Sequence, residues 1–115
     1  MKPNIEYADF EKLDIRVGLI TAAEAPDWSQ KLLQFTVEFG SEIGVKTILS
    51  GIRKWYAPED FVGKKYPFII NLAERKMGQG VSQGMMLMAD SIIDGEEHPT
   101  VTALPDQVAP GTVIR

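Results

Sequence analysis

Residues 33–39, Leu-Gln-Phe-Thr-Val-Glu-Phe, alternate large apolar and polar side chains without a break. Side chains along an extended strand point to opposite faces in turn. A period of two over seven residues therefore demands a strand with one buried face and rules out a helix there. Leu33, Phe35, Val37 and Phe39 form the inner set, and Gln34, Thr36 and Glu38 the outer one.

The same rhythm sorts the rest of the chain. Leu13, Ile15, Val17 and Leu19 alternate, then the phase shifts near Gly18 and Ile20, Ala22 carry it on, which predicts a strand bent by a bulge. Val45–Leu49 is a third strand after the turn Gly40–Gly44. Ala57-Pro58-Glu59-Asp60-Phe61-Val62-Gly63 breaks the period: proline at a first helical position, acids in the first turn and glycine past the end predict a short helix. Tyr66–Leu72 and Gly84–Ala89 read as strands four and five, and Ala73–Gln83 as the loop between them. Short strand-like pieces at Thr100–Leu104 and Thr112–Ile114 complete the tail.

Three strands, a short helix and two further strands, with a bend in the first, is the element order of an all-β, five-stranded OB-fold Greek-key barrel with a C-terminal extension. That fold commonly holds oligonucleotides between its 1–2 and 4–5 loops and on its strand 2–3 face. An SH3-like barrel or a small sandwich is the competing architecture. At 115 residues the chain fits a single domain, 1–115. It has no cysteine, hence neither a disulfide framework nor a thiolate metal site. Acids interrupt the N-terminal segment where a signal peptide would be apolar, and no apolar run approaches the roughly 18 residues of a membrane span. The expectation is a cytoplasmic protein with no membrane partner.

The net charge is −4, yet the sign is unevenly distributed. Residues 46–76 hold seven bases (Lys46, Arg53, Lys54, Lys64, Lys65, Arg75, Lys76) against three acids, while the flanking thirds are each net acidic. Exposed charges more than about 10 Å apart are largely screened at 0.1 M salt, so a polyanion responds to the local field. In the 4–5 loop, Arg75 and Lys76 suit phosphate, Ser82 and Gln83 offer short hydrogen bonds, and Gly78 and Gly80 allow close backbone approach. The same features fit an ordinary barrel loop. Trp28 beside Lys31 suits a stacked base next to a phosphate, or equally a lid on the core. Arg53-Lys54-Trp55-Tyr56 interleaves bases and aromatics in the same two-sided way, and Lys64–Lys65 also suits a helix C-terminus. Met85, Met86 and Met88 read mainly as core, although Met85 adjoins the loop.

Catalytic signatures are missing. His98 stands alone among acids in a tail loop, Glu59–Asp60 is an ordinary helix start, and neither a phosphate-binding P-loop nor a nucleophile elbow is present. No catalytic residue, metal or cofactor is expected.

Phe10-Glu11-Lys12-Leu13-Asp14-Ile15-Arg16-Val17-Gly18, Ser50-Gly51-Ile52, Val62-Gly63-Lys64, Asn71-Leu72, Arg75-Lys76-Met77 and Ser82-x-Gly84-Met85 together resemble the stand-alone tRNA-binding domain family. That family includes small dimeric tRNA-binding proteins and the C-terminal domain of many methionyl-tRNA synthetases. The resemblance implies an OB fold, homodimerisation through residues 100–115, and non-catalytic recognition of tRNA by shape, with an aminoacyl-tRNA synthetase as a partner in trans. Its contact positions fall on Lys31, Arg53, Lys64, Arg75, Lys76, Ser82 and Met85. A sister branch of export-chaperone-like dimers shares the Phe-Glu-Lys-Leu-Asp-Ile-Arg opening and implies peptide binding instead. That branch tends to lose the Asn-Leu and Ser-x-Gly-Met pairs, and both are present here.

Overall fold

The alternating run forms a strand whose Leu33, Phe35 and Val37 have no solvent exposure. The computed structural model describes residues 1–115. In chain order it contains a helical turn α1 (Tyr7–Phe10), then β1 (Ile15–Glu24), β2 (Leu33–Glu38), β3 (Val45–Ser50), a 3₁₀ turn (Pro58–Asp60) and β4 (Lys65–Ile69). These are followed by β5 (Arg75–Met77), β6 (Gly80–Ser82), β7 (Met85–Met86), β8 (Met88–Ile93), β9 (Glu96–Val101) and β10 (Val113–Ile114).

The main sheet runs β3-β2-β1-β4-β7, antiparallel throughout. β1 serves two neighbours because it bends: Ile15–Leu19 pair with β4 and Leu19–Glu24 with β2. The register slips between Ile20 and Ala22, two residues beyond the bulge expected at Gly18. Val17 and Ile20, both ahead of that shift, are buried, whereas Leu13 lies outside the strand and is exposed.

An open sheet of this order would leave the β3 edge bare. It is closed by the last residue of β6 and the one after it: the Thr47 N–H donates to Gln83 Oε1 at 2.9 Å, the Gln83 N–H to the Thr47 carbonyl at 2.8 Å, and the Leu49 N–H to Ser82 Oγ at 3.0 Å. The result is a nearly closed five-stranded barrel of the OB type. Gly84 lets the seam form, since a Cβ there would meet the Ile69 carbonyl oxygen at 2.7 Å.

The predicted helix is a single 3₁₀ turn. Pro58 starts it and the Asp60 carboxylate accepts from the Ala57 N–H at 2.8 Å, but three residues carry no useful macrodipole. The lysines after it therefore need another account. Lys65 Nζ donates to the Asp106 carbonyl and ties down the tail, while Lys64 stays exposed. What the turn does is aim Phe61 into the barrel, fully buried, with ring centroids 4.8 Å from Phe35, 5.4 Å from Tyr56 and 5.6 Å from Tyr66. Removing such a side chain would cost about 3–5 kcal/mol.

The expected fifth strand, Gly84–Ala89, is split into β7 and the start of β8. Two stretches expected to be irregular, the loop before it and residues 90–99 after it, belong to paired ribbons. Residues 75–82 form a β5–β6 hairpin, and residues 88–101 form a β8–β9 hairpin. His98 consequently sits in a strand, half-buried, its ring 5.9 Å from Tyr56, whose hydroxyl donates to the Pro99 carbonyl at 2.8 Å. Turn residues Asp94-Gly95, both at positive φ, connect β8 and β9. Alternation in these ribbons is masked by acids and by Pro99, which is why period-two counting passed over them.

β10 returns to the start of β1, with Arg16 opposite Val113. Arg16 donates to Asp14 at 2.6 Å and to the Gly111 carbonyl at 3.0 Å, and the Asp14 hydrogen bond raises its pKa further above the ordinary arginine value. Asn71 fixes the same corner: its amide accepts from the Asp14 N–H and donates to the Lys12 carbonyl.

Candidate nucleic-acid interface

Three segments converge at one end of the barrel: the β1–β2 loop (residues 25–32), the turn after β3 (residues 51–57) and the β5–β6 hairpin. Each is held by identifiable contacts. Ser29 Oγ accepts the N–H groups of Lys31 and Leu32, so the loop is tied to itself. Arg53 donates to the carbonyls of Pro26 and Ser29, and its own N–H reaches the Lys31 carbonyl at 3.2 Å. Trp28 lies across the hairpin, where Gly78 (φ +62°) and Gly80 leave room for the ring; a Cβ on Gly78 would stand 2.4 Å from Trp28 Cζ3. Loop and hairpin thus brace one another.

Two grooves open between these segments. One, of about 480 Å³, lies between the hairpin and β3–β4; Arg75, Met77, Leu72, Met85, Met88 and Leu49 line it. The other, of about 360 Å³, lies between the β1–β2 loop and the turn after β3, with Lys31, Lys54 and Trp55 on its walls. Gly51 borders both. Lys54 Nζ sits 5.4 Å from the Trp55 ring centroid, a cation–π distance.

The structure sorts the expected contact residues. Lys31, Arg75 and Met85 are exposed and line the grooves. Arg53 is half-buried and engaged by two carbonyls of the β1–β2 loop, so it holds that loop rather than offering a free cation. Ser82 is 3% exposed, and its hydroxyl both accepts from Leu49 and donates to the Gly84 carbonyl at 2.9 Å. With its proton donated and one lone pair used inside the barrel seam, it borders the larger groove but has no donor left for a phosphate. Arg75 and Lys76 leave the hairpin on opposite faces, as consecutive strand residues do: Arg75 and Met77 turn to the groove, Lys76 and Val81 to the other side. Lys64, against Ile20 at the β1 bulge, lines neither groove.

Trp28 is a strut under the hairpin and not an open stacking surface. Trp55 packs on the core with one edge and lines a groove with the other. Gln83, expected to offer hydrogen bonds to a ligand, instead bonds Thr47 at the barrel seam, and Gly51 stood out in the sequence only as part of Ser50-Gly51-Ile52.

Ion pairing is sparse. The two salt bridges, Lys12–Asp9 and Arg16–Asp14, lie in the N-terminal corner. Every base of the positive segment 46–76, together with Lys31, is free of a carboxylate partner. The nearest acid to Arg75 in sequence, Glu74, accepts from Gln83 Nε2 at 3.1 Å. No group of three or more acids, histidines or cysteines could hold a metal. No helix is long and apolar enough to cross a membrane.

Residues 15–113 match the family model described as "Putative tRNA binding domain". The chain belongs to the tRNA-binding domain family. The methionine–tRNA ligase of Phocaeicola vulgatus is 44% identical over 116 residues, covering 100% of this chain and 16% of the ligase. The chain thus spans about one sixth of the length of the ligases it matches. Among solved structures, a MetRS related protein from Pyrococcus horikoshii superposes with a TM-score of 0.88 at 31% identity, covering 99% of this chain and 100% of that one. The CsaA chaperone protein from Picrophilus torridus superposes at 0.80 with 29% identity, covering 97% and 100%. The fold is therefore shared with a MetRS related protein and with a chaperone.

Proposed function

We propose that this domain binds tRNA, without catalysis, across the two grooves that meet at Gly51. The observation that carries this reading is the set of unpaired cations on that face: Lys31, Lys54 and Arg75 line the grooves with no carboxylate bonded to any of them. Phosphate neutralisation supplies most of the sequence-independent affinity for nucleic acid. Arg53 and Trp28 contribute by holding the loops that present these groups.

The domain acts as a homodimer that delivers tRNA to an aminoacyl-tRNA synthetase, in trans or as part of a longer chain. Support for the dimer comes from the opposite corner, where a groove of about 390 Å³ lies between α1 and β10. Tyr7, Leu13 and Val113, which line it, are each about half or more exposed, apolar surface well suited to a second copy. In this reading residues 100–115 have two tasks: Leu104 and Thr112 anchor them to the barrel by backbone bonds, and Val113 faces the partner.

A gel shift with mixed tRNA tests the main proposal. Neutralising roughly three to five phosphates makes affinity fall about a hundredfold between 50 and 200 mM salt. A salt-insensitive shift, or none, would refute it. The peptide-binding reading draws on one observation, the predominance of thioether and leucine side chains in the larger groove. It predicts capture of unfolded polypeptide in preference to tRNA.

A further inference from the structure

Gly51 is a glycine that the fold does not require. Its φ is not positive, unlike seven of the chain's ten glycines, and a Cβ built on it meets no atom within 4 Å. Glycine at an exposed, ordinary backbone position costs conformational entropy on folding and returns no packing. It stands where the two grooves meet. Any larger side chain there would rise as a wall between them.

The larger groove is also unlike a simple phosphate cradle. Its walls are Leu49, Leu72, Met77, Met85 and Met88, with Arg75 as its one charged side chain. A phosphate gains little from such walls, whereas a flat, weakly polar base gains contact with polarisable thioethers on its face. Its volume, about 480 Å³, falls in the range of small-molecule sites, roughly 300–1,000 Å³. Arg75 is planar and unpaired, able to hold the attached phosphate bidentately. Paired bases in a duplex are stacked and unavailable; unpaired loop nucleotides can be splayed into a recess.

Resting on the tRNA reading above, we infer that the larger groove is a subsite for one unstacked nucleotide of an RNA loop. Its base lies among the methionines and its phosphate on Arg75. The strand then crosses Gly51, which is kept bare for its passage, and the next nucleotide reaches Trp55, Lys54 and Lys31. Recognition of tRNA by this domain therefore includes a single-stranded element as well as overall shape.

The test uses the wild-type domain and Gly51→Val with three probes: mixed tRNA, a single-stranded RNA pentamer carrying central 2-aminopurine, and the same pentamer abasic at that position. On wild type, the 2-aminopurine emission changes on binding and the abasic pentamer binds about tenfold more weakly, as loss of one buried base requires. Gly51→Val melts no lower than wild type, binds the pentamer at least about tenfold more weakly, and keeps the wild-type salt slope, since no cation is removed. Equal binding of parent and abasic pentamers would overturn the subsite, and so would an unchanged affinity of Gly51→Val; with tRNA still bound in a salt-dependent way, the tRNA reading itself would stand. A wild-type domain that ignores all three RNAs but captures an unfolded polypeptide would overturn both.

Discussion

Replacing Ser82 with alanine separates a structural serine from an RNA-binding one. In the folded barrel its Oγ accepts from the Leu49 N–H at 3.0 Å, and Leu49 is only 3% exposed. The substitution leaves that N–H without an acceptor in a place water cannot easily reach. A buried donor left unsatisfied costs about 1–3 kcal/mol. The Gly84 carbonyl also loses its donor, but Gly84 is half-exposed and regains water, so it adds little. The expected loss is about 2 kcal/mol. For a domain of this size that lowers Tm by about 8 °C, at roughly 4 °C per kcal/mol. Urea unfolding followed by tryptophan emission gives the stability, and filter binding at low temperature gives the tRNA affinity of the folded variant. Stability should fall while affinity stays within about twofold, because the hydroxyl faces the seam. The reasoning fails if Ser82→Ala unfolds like wild type yet binds tRNA ten or more times worse, which would place the hydroxyl on the ligand.

Three other outcomes follow from the geometry. Arg75→Ala should reduce the salt slope of tRNA binding by about one phosphate, and Lys76→Ala by less than half of that, since the two side chains leave the hairpin on opposite faces; equal losses in a salt series would restore them to a common site. Gly78→Ala should destabilise the hairpin by about 1–2 kcal/mol, because alanine is strained at φ +62° and its Cβ displaces the Trp28 ring. A red shift of Trp28 emission and weaker tRNA binding without loss of charge would report it, and an unshifted spectrum would contradict the bracing role. Burial raises the Tyr66 pKa above 10.0. The folded state then holds the proton more tightly than the unfolded one, so stability is fully present below pH 10 and declines as pH rises through the folded pKa. Tyr66→Phe should flatten that alkaline decline in a pH series of urea unfolding, and an unchanged decline would assign it to other groups.

Strands 1 to 4 and the barrel class were legible because Leu33–Phe39 carries its burial in its periodicity, and Val45–Leu49 and Tyr66–Leu72 are short apolar runs bounded by turn residues. The β5–β6 and β8–β9 ribbons were not. Each packs only part of one face on the barrel, so polar and glycine residues fill positions that a core strand would give to leucine or valine. The site showed a similar division. Charge pointed to residues 46–76, but charge cannot say which way a side chain leaves a strand, and so Arg75 and Lys76 looked equivalent. Ser82 and Arg53 have the chemistry of phosphate ligands, and only the partner carbonyls and N–H groups reveal that both are occupied within the protein. Trp28 needed the glycines of a hairpin 50 residues away to explain it.

A chain of net charge −4 can still hold a polyanion because of where its few ion pairs form. Asp9 and Asp14 are matched to Lys12 and Arg16, bases from the same acidic third of the chain, so the N-terminal corner partly neutralises itself. The bases of residues 46–76 are left without carboxylates, and the fold gathers Lys54 and Arg75 with Lys31 around two adjoining grooves. The remaining acids of the tail concentrate on the β8–β9 hairpin, at Asp90, Asp94, Glu96 and Glu97. The molecule extends 41 × 39 × 30 Å, several times the roughly 8 Å Debye length at physiological salt. A phosphate at the grooves therefore senses the cations beside it more strongly than acids that lie beyond a screening length. The negative sum governs how copies of the protein repel one another in solution; the binding face answers to its own unpaired cations.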